Sequence, residues 1–131
     1  SSHIALVDQK TSEVHISGIG FAIGHFARWI APGSLRIDAV SDNKLVKVTA
    51  FRSDRQNELI LIVINNSNFE AEMDFSVKNM ALQGAVKGEY SDRSNRWKQL
   101  PPLTPSDNAS FRLTVGPTSV TSLSASLVNP D

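Results

Sequence analysis

Two large aromatic residues on either side of a polar stretch are the part of this 131-residue chain best suited to chemistry. Tyr90 and Trp97 enclose a segment that carries a carboxylate, an amide and two guanidinium groups. Sugar rings present C–H faces that stack on Trp and Tyr, and sugar hydroxyls form hydrogen bonds with such polar side chains. The pattern predicts a carbohydrate-binding set with one further aromatic as a second candidate: Trp97, Tyr90, Asp92, Asn95 and Arg96, and Trp29.

The same segment also has a structural interpretation. Trp97 would then begin a strand and cover the rim of the fold, and Arg93 or Arg96 would stack on its ring or pair with Asp92. Arginine commonly stacks on tryptophan and pairs with carboxylates at protein surfaces. The sequence leaves both interpretations open.

Catalytic residues are not predicted in the chain. Glycoside hydrolysis needs two carboxyl groups that face each other across the scissile bond. Glu70, Glu72 and Asp74 instead alternate with apolar residues, so they are expected to form a solvent-facing row along a strand. No Gly-x-Ser-x-Gly motif provides a serine nucleophile.

Metal and cofactor sites are not predicted either. His3, His15 and His25 lack a second ligand at metal-binding spacing. The glycines within residues 18–24 come near a dinucleotide-binding fingerprint, but the third is one residue late and no βαβ unit surrounds them. We therefore expect no cofactor; calcium is possible but not indicated.

The composition of the chain limits the classes of partner that it is expected to bind. Thirteen Lys and Arg balance thirteen Asp and Glu, so no chain-wide field attracts nucleic acid or an anionic membrane. The longest apolar run, residues 59–64, is far shorter than the ~20 residues that a membrane-spanning helix needs. The absence of cysteine excludes disulfides and thiolate sites. Neither nucleic acid nor a membrane is expected as a partner.

Short apolar runs separated by polar clusters at intervals of about ten residues predict a mainly β fold. Residues 35–40 and 45–51 are predicted to form a hairpin, and residues 59–64, apolar throughout, a central strand covered on both faces. Further strands are predicted at residues 69–77, 84–90, 110–115 and 119–127, the last as an edge strand. The count of about eight strands predicts an antiparallel β-sandwich. Residues 1–131 are predicted to be a single domain, with an N-terminal strand and helix segment over 1–33 and sandwich strands over 34–131.

Residues 20–31 are predicted to form one short helix that is apolar on two faces. Ile23, Phe26 and Ile30 fall on one stripe at helical spacing, while Phe21 and Trp29 project from the other side. A surface helix normally buries one stripe, so the second stripe needs a partner. That partner is either the N-terminal segment over residues 4–16, a neighbouring domain or a second copy of the chain.

Residues 23–37, with the sequence IGHFARWIAPGSLRI, resemble glycoside hydrolase family 30. Members of that family carry a Gly-His-Phe-Ser-(Lys/Arg)-Phe-Ile-x-(Pro/Glu)-Gly-Ser-x-Arg-(Ile/Val) stretch. This chain departs from it at Ala27 and Trp29, where the family has Ser and Phe. Residues 59–67 are similar to a later strand of the family, and residues 117–123 are similar to its closing Pro-Ala-x-Ser-Val-Thr-Thr-(Phe/Leu). The resemblance extends over about residues 5–123.

In family 30 this stretch leads from the last helix of a (β/α)8 catalytic barrel into an appended β-sandwich. The resemblance implies an accessory domain of a secreted, extracellular hydrolase that acts on β-linked glucans or xylans. The family's catalytic glutamates lie on barrel strands that this chain lacks, so the chain itself is expected not to be an enzyme.

Two functions follow from the resemblance and the aromatic set. The first is a carbohydrate-binding module that holds polysaccharide through surface aromatics; the alternative is a structural companion that stabilises the barrel without binding sugar. The expected partners are therefore a polysaccharide or oligosaccharide, together with a catalytic barrel or self-association through the Phe21 and Trp29 face. Sandwiches of the family usually take a strand from before the barrel, so an open sheet edge is expected unless a segment such as residues 4–16 covers it.

Overall fold

Nine β-strands form one continuous hydrogen-bonded sheet in the part of the chain that the computed structural model describes. The structure describes residues 2–10, 28–30, 33–53 and 57–128. In chain order the strands are β1 (Ser2–Lys10), β2 (Leu35–Ser41), β3 (Val46–Ser53), β4 (Glu58–Asn65), β5 (Ala71–Lys78), β6 (Leu82–Ser91), β7 (Lys98–Gln99), β8 (Ser110–Val115) and β9 (Ser119–Leu127). Across the sheet the order is β7-β6-β9-β4-β3-β2-β1-β5-β8.

One face of this sheet encloses a single hydrophobic core. Leu82 and Val86 of β6 belong to the same buried cluster as Phe111 and Leu113 of β8, although these strands lie near opposite ends of the sheet. The sheet therefore curls over onto itself. The ring of Phe111 stacks on that of Phe75, with the ring centroids 4.8 Å apart. The predicted mainly β class is confirmed.

The predicted sandwich of two antiparallel sheets is wrong in how the strands are connected, because β1 joins the strands into one mixed sheet. This strand pairs antiparallel with β2 and parallel with β5, so it joins what would otherwise be two separate sheets. Ile4 and Leu6 place their side chains in the core and are almost fully buried. The N-terminal segment thus closes the expected open edge by becoming an interior strand.

Strand β4 is covered on both faces, as its unbroken apolar run predicts. Leu59, Leu61 and Val63 point into the core. The alternate residues belong to a second buried cluster on the opposite face, which we call the outer cluster: Phe51, Ile60, Ile62, Ile64 and Val120. Strands β3 and β9 flank β4, so its hydrogen-bonding edges are also satisfied.

Strand β9 was expected at an edge, and this prediction is wrong. It lies between β4 and β6 and pairs with both. Its hydroxyl residues suggested a solvent-facing strand, yet Ser119, Thr121 and Ser122 are buried. Small side chains allow the neighbouring strands and the segments above them to approach closely, so a Ser- and Thr-rich strand fits the interior of this sheet.

The predicted helix over residues 20–31 is not supported. Arg28 and Trp29 have helical backbone, whereas Ile30 does not. The other residues of the predicted helix, including Phe21, lie outside the described residues. The described part of the chain holds no complete helix. Among these residues there is likewise no helix with the length and apolar character needed to cross a bilayer.

Phe69 was predicted to start a strand with its side chain buried, but the strand begins at Ala71 and Phe69 is 75% exposed. The buried amide of Asn65 explains the difference. Its Nδ2 donates to the carbonyl oxygens of Phe69 and Gly116, each at 2.8 Å, and its Oδ1 accepts from the Ser67 hydroxyl at 2.8 Å. These bonds hold the segment after β4 as a loop and place Phe69 on its outside.

The contact between β6 and β9 gives a test of this packing. A Cβ atom added at Gly88 would lie 2.3 Å from the backbone oxygen of Ser122 and 2.7 Å from Cδ2 of Leu123. Gly88→Ala should therefore lower the free energy of unfolding by about 1–3 kcal/mol in urea denaturation. Gly116→Ala is the control, because nothing lies within 4 Å of its added Cβ. A Gly88→Ala protein as stable as the control would contradict the described pairing of these strands.

Candidate functional site

A half-buried carboxylate on the outer face of the sheet holds the segment that precedes β2. Glu89 lies in β6, and its side chain is only 12% exposed. Its Oε1 accepts a hydrogen bond from Nε of Arg28 at 2.6 Å and another from Nε1 of Trp29 at 2.7 Å. Hydrogen bonds to a charged acceptor of this kind are among the stronger ones in proteins.

Trp29 is half-buried by this arrangement. Together with Ile30 it packs against the outer cluster, while its indole N–H is satisfied by Glu89. Trp29, which the prediction places on the second apolar stripe of the helix, therefore packs against the chain's own sheet. The N-terminal segment does not fill this role at its described residues, because Ile4 and Leu6 lie in the core.

Trp97 lies on the same outer face of the sheet, beside Arg28. The guanidinium carbon of Arg28 lies 5.3 Å from the centre of the Trp97 ring, within the range of a cation–π contact. Trp97 directly precedes β7, one residue before the strand that the structural interpretation predicts it to begin, and Arg28 lies over its ring. The backbone N–H of Trp97 donates to Oγ of Ser91 at 3.0 Å, and its side chain remains 37% exposed.

Tyr90 lies on the other face of β6. Successive residues of a strand point to opposite faces, so Tyr90 faces away from Glu89 and from the aromatic cluster around it. It is half-buried and lines a cleft of about 280 Å³, together with Asp92 and Leu100. The structure therefore separates Tyr90 from Trp97, although the sequence brings them within seven residues of each other.

The polar residues between these aromatics hold the loop in shape. Oδ1 of Asp92 accepts from the backbone N–H groups of Ser94 and Asn95, at 2.9 and 2.7 Å, and from the Asn95 side chain at 2.9 Å. The Arg96 guanidinium donates to the carbonyl oxygens of Asn95, at 3.0 Å, and of Asp92. Slight burial raises the pKa of Asp92, but these hydrogen bonds and the Arg96 charge outweigh it, so the net pKa lies below its ordinary value.

The row of carboxylates on β5 faces outward, as predicted. Arg112 of the neighbouring strand pairs with Asp74 at 2.6 Å and with Glu72 at 3.3 Å. Hydrogen bonding and the charges of these two carboxylates raise the pKa of Arg112. Within the residues that the structure describes, no three His, Cys, Asp or Glu side chains come together as a metal site.

The sequence has a curated relative among the xylan-degrading enzymes. The chain is 32% identical over 81 residues to the glucuronoxylanase XynC of Bacillus subtilis strain 168. This match covers 61% of the chain and 19% of that enzyme, so the chain spans about a fifth of the curated relative's length. No protein-family model matches the chain.

Solved structures agree with this relationship. The chain superposes on a family 30 endoxylanase from Clostridium papyrosolvens C71 with a TM-score of 0.73 and 25% identity, over 79% of this chain and 26% of that one. The chain is homologous to part of the family 30 glycoside hydrolases. A family 44 xyloglucanase from Paenibacillus polymyxa also matches, with a TM-score of 0.62 and 20% identity over 70% of this chain and 19% of that one; this likeness shows a shared fold.

The resemblance to family 30 that residues 23–37 suggested is thus confirmed. That stretch contains Arg28 and Trp29, the two residues that Glu89 binds. No motif in the sequence singles out Glu89. Its partners lie about sixty residues away along the chain, so no local pattern could have revealed them.

Removing the Glu89 carboxylate tests the importance of this contact. Glu89→Ala should lower the free energy of unfolding by roughly 1.5–3 kcal/mol in urea denaturation, because it leaves the Trp29 N–H without its charged acceptor. Arg112→Ala is a matched control, since it breaks a solvent-exposed ion pair that should contribute almost nothing to stability. Equal stability of the two variants would show that the Glu89 contact does not fasten residues 28–30.

Proposed function

We propose that the chain is a non-catalytic accessory domain of a glycoside hydrolase of the family 30 type. The observation that carries this proposal is the attachment of residues 28–30 to the outer face of the sheet. Trp29 and Ile30 pack on the outer cluster, and Glu89 binds Arg28 and Trp29. A domain whose outer face is apolar and occupied by the segment before β2 is suited to rigid attachment beside a catalytic barrel.

The names of the similar proteins indicate the class of substrate. They are a glucuronoxylanase, an endoxylanase and a xyloglucanase, and the chain matches about a fifth to a quarter of each. We infer that the parent enzyme acts on a β-linked plant polysaccharide such as xylan or glucan. Such polymers are too large to enter a cell, which supports a secreted, extracellular protein.

The absence of catalysis can be tested directly. The purified chain should release no reducing sugar from glucuronoxylan, xyloglucan or β-glucan above the level of a buffer blank. The glucuronoxylanase of Bacillus subtilis serves as the positive control on glucuronoxylan. Turnover that copurifies with the chain and disappears when a carboxylate such as Glu70 is replaced would contradict the non-catalytic assignment.

Carbohydrate binding through the outer face is a second candidate function. Trp97 favours it because the ring is 37% exposed beside the cation of Arg28 and the backbone φ is +53°. Few non-glycine residues adopt this left-handed conformation, and strained residues cluster at functional sites. Asp92, Asn95 and Arg96 would support the site by fixing the loop that leads to Trp97.

Affinity electrophoresis tests the role of Trp97. In gels that contain soluble xylan or β-glucan, the wild-type chain should migrate more slowly than in a plain gel, and Trp97→Ala should show less of this retardation because it loses the stacking ring. Val40→Ala is the control, since it shortens another exposed apolar side chain away from the aromatics. Unchanged retardation of Trp97→Ala would exclude the outer face as the sugar-binding surface.

A further inference from the structure

Two adjacent clefts open at the end of the sheet where three loops meet. The loops connect β4 to β5, β6 to β7, and β8 to β9. The first cleft, of about 280 Å³, is lined by Glu70, Tyr90 and Asp92 among others. The second, of about 290 Å³, is lined by Asp92 and Arg93 together with residues 68 and 117–118. Because Asp92 borders both, the two clefts are neighbours.

Phe69 lies in the chain between two residues that line these clefts, although Phe69 itself lines neither. Its neighbour Asn68 lines the second cleft and its neighbour Glu70 lines the first. At 75% it has the largest exposed fraction among the large apolar residues of the described chain. Its backbone is held on both sides, since its N–H donates to Oγ of Ser67 at 3.2 Å and its carbonyl accepts from Asn65. The backbone of Phe69 is thus held in place, and its exposed ring is available to stack on a ligand.

The walls of the first cleft carry polar groups that the protein itself does not use. Within the described residues, the side chains of Glu70, Tyr90 and Thr114 have no hydrogen-bond partner. The Asp92 carboxylate, in contrast, already accepts three hydrogen bonds through Oδ1. An aromatic hydroxyl, an aliphatic hydroxyl and a carboxylate, together with the apolar side chain of Leu100, match the alternating polar edges and apolar faces of a sugar.

We propose that this loop end binds a short, neutral, β-linked oligosaccharide across both clefts, with one sugar ring stacked on Phe69 and hydroxyls hydrogen-bonded to Tyr90 and Glu70. Each cleft lies just below the ~300–1,000 Å³ typical of ligand sites, which suits a short oligosaccharide that occupies both clefts. Glu70 and Asp92 disfavour a negatively charged uronic acid in the first cleft. The inference rests on the proposed association with polysaccharide and adds a binding surface separate from the one that contains Trp97.

Titration monitored by amide NMR locates the site directly. Xylohexaose and cellohexaose are added to the ¹⁵N-labelled chain, and the largest saturable shifts should fall on residues 68–70, 92–94 and 116–118. Phe69→Ala should weaken binding about two- to tenfold by loss of the stacking ring. This variant should fold normally because the side chain is mostly exposed, and its amide spectrum verifies this. Tyr90→Phe, which removes one hydroxyl only, should weaken binding by a smaller factor.

Val40→Ala is the matched control, since it shortens an exposed apolar side chain that lines neither cleft, and it should bind both hexasaccharides as the wild type does. A xylo-oligosaccharide bearing 4-O-methylglucuronic acid should bind more weakly than xylohexaose; tighter binding would overturn the assignment to a neutral sugar. Shifts centred on Trp97 or Glu89, or no saturable shift at all, would overturn the cleft site. Neither result would affect the non-catalytic assignment, which depends on the turnover assay.

Discussion

The double pairing of β1 is the interaction on which the rest of the fold depends. In the ladder formed by the described strands, β5 and β8 are joined to the other six strands through β1, which hydrogen-bonds to β2 on one side and to β5 on the other. Its parallel register with β5 brings Ile4 opposite Phe75, and both side chains are buried in the shared core. Without this strand, the β5–β8 pair would lose the backbone hydrogen bonds that connect it to the other strands. The clefts at the loop end also need it, because their walls come from both ends of the curled sheet.

Local pattern was sufficient to predict much of the secondary structure. The bounds of β8 and β9 agree with their predicted limits, and the two-sided burial of β4 follows from its run of apolar residues. What pattern could not supply was the order of the strands. Periodicity reports which residues are buried and not which strand lies beside which, so the interior position of β9 and the parallel partner of β1 remained hidden.

The candidate site shows the same limit at the level of side chains. Tyr90 and Trp97 are close in sequence, but strand alternation and the backbone turn at Trp97 send them to opposite faces. The group that contacts Trp97 comes from Arg28, which no local motif connects to it. Phe69 was predicted to lie in a strand, but the carbonyl oxygen of Phe69 accepts a hydrogen bond from the Asn65 side chain instead of from a neighbouring strand. Such side-chain to backbone hydrogen bonds end strands earlier than hydrophobic alternation would suggest.

Asn65 has a practical consequence for production of the protein. The triplet Asn65-Asn66-Ser67 is an acceptor motif for N-linked glycosylation, yet its asparagine is completely buried and its amide nitrogen donates to the carbonyls of two separate loops. A glycan can be attached there only before the chain folds, and it would then keep the ends of β4 and β8 apart. Asn108, which begins a second such triplet, is exposed and tolerates the modification. A bacterial host, which does not attach this glycan, is therefore better suited to production of the protein than secretion from yeast or insect cells.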